Sequence, residues 1–221
     1  MLAAPGGNTE IVIVSISREL GAGGLSVGEA VASALGATLL DERAIITELS
    51  SREGLPPDFI AERIERPPSV GQQLIADLAA ASAMMPITMM WEQPETVIVD
   101  GVRNLVLERA SRAHVVVIGH GGVSMLGWRP AGIRVLAVLL RAGKAWRVDQ
   151  LARRFAIARE EAERRIERTD AARVRFQRHY FNSDLYDSRQ YDLVLCSESL
   201  GLETAIRLAV EAAAAAAAVR A

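Results

Sequence analysis

The chain has 221 residues, half of them apolar and 24% charged, with a net charge of −2 and one cysteine. That content supports a sizeable core and excludes a disordered chain. No apolar run reaches the roughly 18 to 20 residues that span a bilayer, no internal disulfide can form, and no global field gathers nucleic acid, so the expected setting is the cytoplasm.

In chain order, residues 1–10 read as a flexible N-terminus without the basic start and apolar run of a signal peptide. Residues 11–16 (IVIVSI) form a β-branched run, the mark of a strand buried on both faces. The loop Ser17-Arg18-Glu19-Leu20-Gly21-Ala22-Gly23-Gly24 follows. Val27, Ala30, Val31, Ala34 and Leu35 then recur at helical spacing, and Gly36 ends that helix. Residues 37–40 read as a short strand ending in Asp41, and 44–51 as a helix. Prolines bracket a helix over 58–65, and 70–85 predicts another that carries methionines as core filler. Residues 96–99 resemble a strand, Asp100-Gly101 a turn, and 105–113 a helix; at Asp100 a helix or surface turn is the favoured alternative to a magnesium-binding strand end. Residues 114–118 (HVVVI) predict a strand before Gly119-His120-Gly121-Gly122, and 133–140 (IRVLAVLL) predict another. Residues 145–154 and 159–176 are charged helices. A last strand over 191–196 (YDLVLC), with Cys196 as a buried thiol, precedes an alanine-rich helix over 203–219.

Strands alternating with helices predict an α/β fold: a three-layer parallel sheet of about five strands with helices on both faces, as one domain over 11–221. Ligands of such sheets gather at the carboxyl ends of the strands. The glycine loop, Asp41, the turn 119–122 and the arginines after Leu140 all follow strand ends.

A glycine loop between strand and helix can turn consecutive N–H groups inward, and the helix dipole adds positive charge, so a phosphate fits. Against GxxxxGK[ST], Gly23 holds the second glycine, but Arg18 stands at the first, Gly24 at the lysine and Leu25 at the Ser/Thr, with Ser26 one residue late. A structural turn is the even-handed alternative. Charge is uneven: residues 141–178 carry +6 and the rest −8, and Lys144 is the chain's only lysine. Part of that run is readable as a solvated helix face, with Glu160–Arg164 and Glu161–Arg165 as supporting i,i+4 pairs. Asp41 is readable either as a helix cap or as a ligand contact. Three histidines and one cysteine at no metal-like spacing give no zinc site.

Several segments together resemble the cytidylate kinase-like family: ISRELGAGG (16–24), LLDERAIITEL (39–49), VVVIGHGG (115–122) and EEAERRIERTDAARVRFQRHYFNSDLYDSRQYDLVLCSESLGLE (160–203). The likeness spans roughly 11–208. The family's variant loop also has glycine in place of the lysine. The resemblance implies a phosphate-binding-loop kinase fold of the nucleoside-monophosphate kinase type. A helical acceptor-binding region would cover about 42–112, and an arginine-rich lid and its following helix about 145–180. It implies transfer of a phosphoryl group from ATP or another nucleoside triphosphate, with Mg2+, to CMP or a similar acceptor. Such transfer needs positioning and positive charge rather than a covalent nucleophile, and arginine forks suit phosphate oxygens.

By that likeness Ser17, Arg18, Gly21, Ala22, Gly23, Gly24, Leu25 and Ser26 cradle the donor phosphates. Asp41, Arg43, Asp170 and Arg173 hold the acceptor, joined by Arg103 and His120. Arg18, Arg147 and Arg173, with Arg154 beside them, neutralise the transferring group. His120 stands where the family's turn often carries an arginine. The missing lysine, Leu25 and His120 leave a nucleotide sensor without turnover as the second reading. The expected partners are small nucleotides and, as an open option, a second copy of the chain; nucleic acid and membrane are not expected.

Overall fold

The computed structural model describes residues 11–65, 94–126 and 133–218. Its elements, in chain order, are β1 (Val12–Arg18), α1 (Gly24–Leu35), β2 (Thr38–Leu40), α2 (Glu42–Glu53), α3 (Pro57–Glu65), α4 (Pro94–Ala110), β3 (Val115–Ile118), α5 (Gly122–Met125), β4 (Arg134–Arg141), α6 (Lys144–Phe155), α7 (Arg159–Phe181), a 3-10 turn (Ser188–Gln190), β5 (Leu193–Cys196), α8 (Ser197–Leu200) and α9 (Leu202–Ala218). The expected N-terminus over 1–10, the helix over 70–85 and its methionines lie outside the described residues.

The strands form one five-stranded sheet in the order β2-β3-β1-β4-β5, and every pairing is parallel. Parallel strands require crossovers, which the helices supply. β1 is central and pairs along its whole length with β4, from Val12 beside Arg134 to Arg18 beside Leu140. β2 and β3 lie on one side of β1 and β4 and β5 on the other, so the order of strand addition switches sides at β1 and its carboxyl end is where a ligand crevice opens.

The two-residue period of a strand divides the core. Val12, Val14 and Ile16 face one side with Val116, Leu136, Val138 and Leu140, and are covered by α1 and α9. On α9 the buried residues are Ala205, Ala209 and Ala213, a small-residue row that brings its backbone close to α1. Ile13, Val115, Val117, Val135 and Ala137 face the other side, covered by residues of α2, α3, α4 and α5. Val148, Leu151, Ala162 and Ile166 make a separate cluster between α6 and α7, with Leu20 packed on it.

Three sequence expectations change. The expected strand at 96–99 is the start of α4. Ile98, Val102, Leu105 and Val106 are buried on the face of that helix that meets the second core, and tertiary burial outweighs their β-branched preference. Gly101 permits the approach, since a Cβ there would lie 2.8 Å from Leu49 Cδ2. Asp100 is consequently exposed on a helix. β5 starts two residues later than expected, because the Asp192 carboxylate, at 2.9 Å, takes the Ala137 N–H that a ladder carbonyl would otherwise accept. Cys196 is half-buried at the end of β5 rather than enclosed.

Candidate active site at the end of β1

β1 ends at Arg18, and after five intervening residues α1 begins at Gly24. Gly21 and Gly23 have φ of 87° and 89°, the left-handed region that favours glycine. A Cβ at Gly21 would also lie 2.9 Å from the Arg147 carbonyl oxygen. Part of the loop is committed internally. Glu19 N–H donates to Leu140 O (3.0 Å) and Ala22 N–H to Glu19 O (3.2 Å), while Leu20 N–H donates to Asp170 Oδ1 (2.8 Å). Among the described residues, the amides of Gly21, Gly23, Gly24, Leu25 and Ser26 have no internal acceptor, and the N-cap Gly23 supplies no side-chain cap to α1. These donors surround the positive end of a helix dipole.

The absence of a lysine at position 24 has a steric counterpart. The Arg18 stem lies over Gly24, where a Cβ would sit 2.7 Å from Arg18 Cγ and 2.9 Å from Arg18 Cβ. The guanidinium lies against Gly119, where any Cβ would collide with it. Arg18 therefore crosses from the loop to the turn after β3.

That turn has four consecutive positive φ angles, at Gly119, His120, Gly121 and Gly122. His120, at 56°, is the non-glycine member. This conformation costs a side chain about 1–2 kcal/mol. A Cβ at Gly122 would lie 2.7 Å from Ser17 Oγ, and one at Gly121 would strike Phe181. The turn is thus pressed flat between the end of β1 and the end of α7, and His120 is held inward. Its ring is 9% exposed, and neither ring nitrogen has a hydrogen-bond partner.

His120, Ser17 and Arg18 line a cavity of about 160 Å³ whose other wall is α7, with Arg168, Arg173, Arg175 and Phe176, and whose edge is Glu42. Arg173 Nη1 donates to Arg18 O at 3.2 Å and stands 3.7 Å from Asp170 Oδ1. Arg18 Nη2 reaches Glu42 at 4.0 Å. Burial, and then repulsion from Arg173, pushes the Arg18 guanidinium down to about 9. Burial also lowers Arg173. Burial, followed by Arg18 and Arg173, holds His120 down to about 3, so the imidazole is neutral at physiological pH. Four arginines thus face one cavity carboxylate, an environment that favours an anion.

A second, wider cavity of about 530 Å³ is lined by Arg18, Leu25, Asp41, Glu42, Arg43 and Thr47 among others. Arg18 and Glu42 line both cavities, so the two chambers meet at that pair. Asp41 caps α2, its Oδ1 accepting Ala44 N–H at 2.8 Å, and it also lines the wider chamber. Arg43 is exposed at the same chamber. Arg103 is exposed on α4 and lines neither.

Arg147 lies elsewhere. It is 6% exposed, and its guanidinium donates to Ala142 O (2.9 Å), Leu20 O (3.1 Å) and the Asp170 carboxylate. Glu19, 3.6 Å from Arg147 Nε, accepts the Ala142 N–H. Arg147 and Asp170 together fasten α6 and α7 to the glycine loop. Arg154 is exposed on α6, stacked 5.7 Å over Phe155. Much of the remaining charge is helix support, as in Arg165–Glu161 at 2.7 Å; Arg164 turns to Glu161 rather than to Glu160.

Sequence reasoning singled out neither Glu42, Arg168, Arg175, Phe176 nor Gln177, all of which line the smaller cavity. The signal was present in the spacing: 168, 169, 172, 173 and 176 share one helix face. Among the described residues no group of three acidic, histidine or cysteine side chains could hold a metal by itself. Magnesium in phosphoryl transfer takes one or two protein oxygens and the rest from phosphates and water. The residues present fit only that arrangement.

A family model described as the cytidylate kinase-like family matches residues 13–199. A cytidylate kinase from Pyrobaculum islandicum is 23% identical over 203 residues, covering 91% of this chain and 92% of that protein. Among solved structures, an uncharacterized protein from Eubacterium ventriosum superposes with a TM-score of 0.65 at 16% identity, covering 92% of this chain and 98% of that one. A gluconokinase from Sinorhizobium meliloti superposes with a TM-score of 0.51 at 16% identity, covering 95% and 94%.

Proposed function

Because the chain belongs to the cytidylate kinase-like family, we propose that it transfers the γ-phosphoryl group of ATP, or another nucleoside triphosphate, to CMP or a similar nucleoside monophosphate. The observation that carries this reading is the set of loop amides without internal acceptors beside a chamber in which arginines outnumber carboxylates. The amides of Gly21, Gly23, Gly24, Leu25 and Ser26 receive the donor phosphates. Asp41 and Arg43 line the wider chamber, which takes the acceptor nucleoside, and Arg173 faces the smaller chamber, which takes the acceptor's phosphate. Arg18 borders both and faces the group in transit. The Asp41 oxygen not used in the cap belongs to a side chain lining the wider chamber and would serve as a protein ligand of Mg2+, which when bound would supply charge neutralisation for the phosphates. Catalysis is then positioning plus fixed positive charge in a site that excludes water. Arg147 and Asp170 act one step back, by setting the loop on the lid helices.

The test is ADP release on mixing the protein with Mg-ATP and, separately, CMP, dCMP, UMP and AMP. Turnover with one acceptor above the ATPase background supports the proposal, and none with any acceptor overturns it. One observation favours a second reading, a nucleotide sensor: the loop has no lysine, and the chain's only lysine, Lys144, pairs with Glu163 and Glu167 at 2.6 Å each. Calorimetric binding of ATP and CMP without turnover selects that reading.

A further inference from the structure

The smaller cavity contains a group whose protonation state the kinase reading leaves unassigned. His120 is the only polar side chain lining it that is both nine-tenths buried and without any hydrogen-bond partner, among the described residues. It is held there at a positive φ, in a turn of glycines pressed against Arg18, Phe181 and Ser17. A structural histidine would have a partner for at least one nitrogen, since an unsatisfied buried donor or acceptor costs about 1–3 kcal/mol. The same chain shows the contrast: His114 Nδ1 accepts Val12 N–H at 3.0 Å.

We propose that His120 is a proton-linked anion contact, neutral in the free protein and converted to an imidazolium, with a proton from solvent, when the acceptor's phosphate enters the cavity. The proposal rests on the kinase reading for the identity of that anion. The charges facing the ring decide the direction. Arg18 comes from β1, Arg168, Arg173 and Arg175 come from α7, and Glu42 comes from α2. Asp41 and Asp170 lie behind them, as partners of Arg18. In the free protein, burial and the two nearest guanidinia oppose a further positive charge, which is why the ring is held down to about 3. A phosphate dianion offsets the charge of the two nearest guanidinia and offers oxygens to an N–H donor. Phosphate monoesters are dianionic above a second pKa of about 6, so at pH 7.5 the proton is taken up by the protein and not by the ligand. An arginine in this turn would be charged permanently. A histidine makes tight binding conditional on pH.

The sign follows from linkage. A proton bound only in the complex means affinity rises as pH falls, by up to tenfold per unit between the pKa of the ring in the complex and its value of about 3 in the free protein, while the phosphate stays dianionic, and is flat above the pKa in the complex. The experiment is nitrogen-15 NMR of the imidazoles at pH 7.5, assignable because the chain has three histidines, during titration with CMP and separately with ATP. Calorimetry with CMP in two buffers of different ionisation heat counts the protons. The expected result is that CMP moves both His120 nitrogens to the imidazolium position with uptake approaching one proton. His120→Gln should lose the uptake and weaken CMP roughly tenfold or more while still binding ATP. His120→Arg should bind CMP without proton uptake or pH slope. CMP binding with a neutral His120, or undiminished uptake in His120→Gln, overturns this proposal and leaves the kinase reading standing. Failure of both CMP and ATP to bind overturns both.

Discussion

Arg147 sits 6% exposed, between two carbonyls and two carboxylates. Its partners Asp170 and Glu19 are themselves only 14% and 13% exposed. Removing one member of such a cluster leaves buried charge uncompensated, which costs about 3–5 kcal/mol. Arg147→Ala should therefore lower the unfolding free energy, read from urea denaturation, by about 3 kcal/mol, near the low end of that range since these groups keep some solvent, and should loosen the loop. Arg173→Ala should behave differently. Its side chain is 22% exposed at a cavity, so stability should change little, while kcat/KM for the acceptor falls about a hundredfold, in line with loss of one charge-stabilising donor. Unchanged kinetics would remove Arg173 from the site. His120 gives the pH prediction. Its folded-state value of about 3 lies below the ordinary 6.5, so between those limits the unfolded chain binds a proton that the folded chain refuses. Stability should fall as pH falls from 6.5 toward 3, by up to about 1.4 kcal/mol per unit from this group. Denaturation curves of the wild type and His120→Gln at pH 7, 5.5 and 4.5 should converge or cross, with the variant showing the shallower loss.

The helices divide into those that a sequence announces and those that packing decides. α1 was legible from its apolar spacing and its glycine stop: Gly36, at φ 59°, turns its N–H back to Ser33 O. α4 was not, because Thr96, Val97, Ile98 and Val99 read as a strand until Leu49 and its neighbours offer a helical face something to meet. α7 was legible as a helix, yet its cavity-lining face was hidden by a run of arginines in which the three that line the cavity look like the rest. α9 owes its position to size: Ala205, Ala209 and Ala213 are at most 1% exposed against α1 and the sheet. Ala209→Leu should overpack this contact and cost about 1–3 kcal/mol. Because the glycine loop joins β1 to α1, the same change should also weaken ATP binding.

At the scale of the molecule, the parallel sheet was readable because strands buried on both faces are continuous apolar runs. The order β2-β3-β1-β4-β5 was not, since it depends on which helix covers which face. The two chambers were equally hidden, because Glu42 and Arg18 come from distant stretches of chain and meet only where β1 and β2 end. One prediction belongs here. Saturation with ATP plus CMP at about a hundred times the dissociation constant should stabilise the protein by about 2.7 kcal/mol for each ligand bound, or roughly 5–10 °C in Tm for a domain of this size. Arg173→Ala should keep the ATP increment and lose most of the CMP one. The interlock of the Arg18 stem with Gly24 also bears on how such loops diverge. Inserting the lysine of ordinary phosphate loops here by Gly24→Lys would evict the arginine from its seat and disable the protein, whereas pairing it with Arg18→Gly opens the space the lysine needs. A lysine at position 24 is then compatible with this loop only where position 18 gives up its side chain.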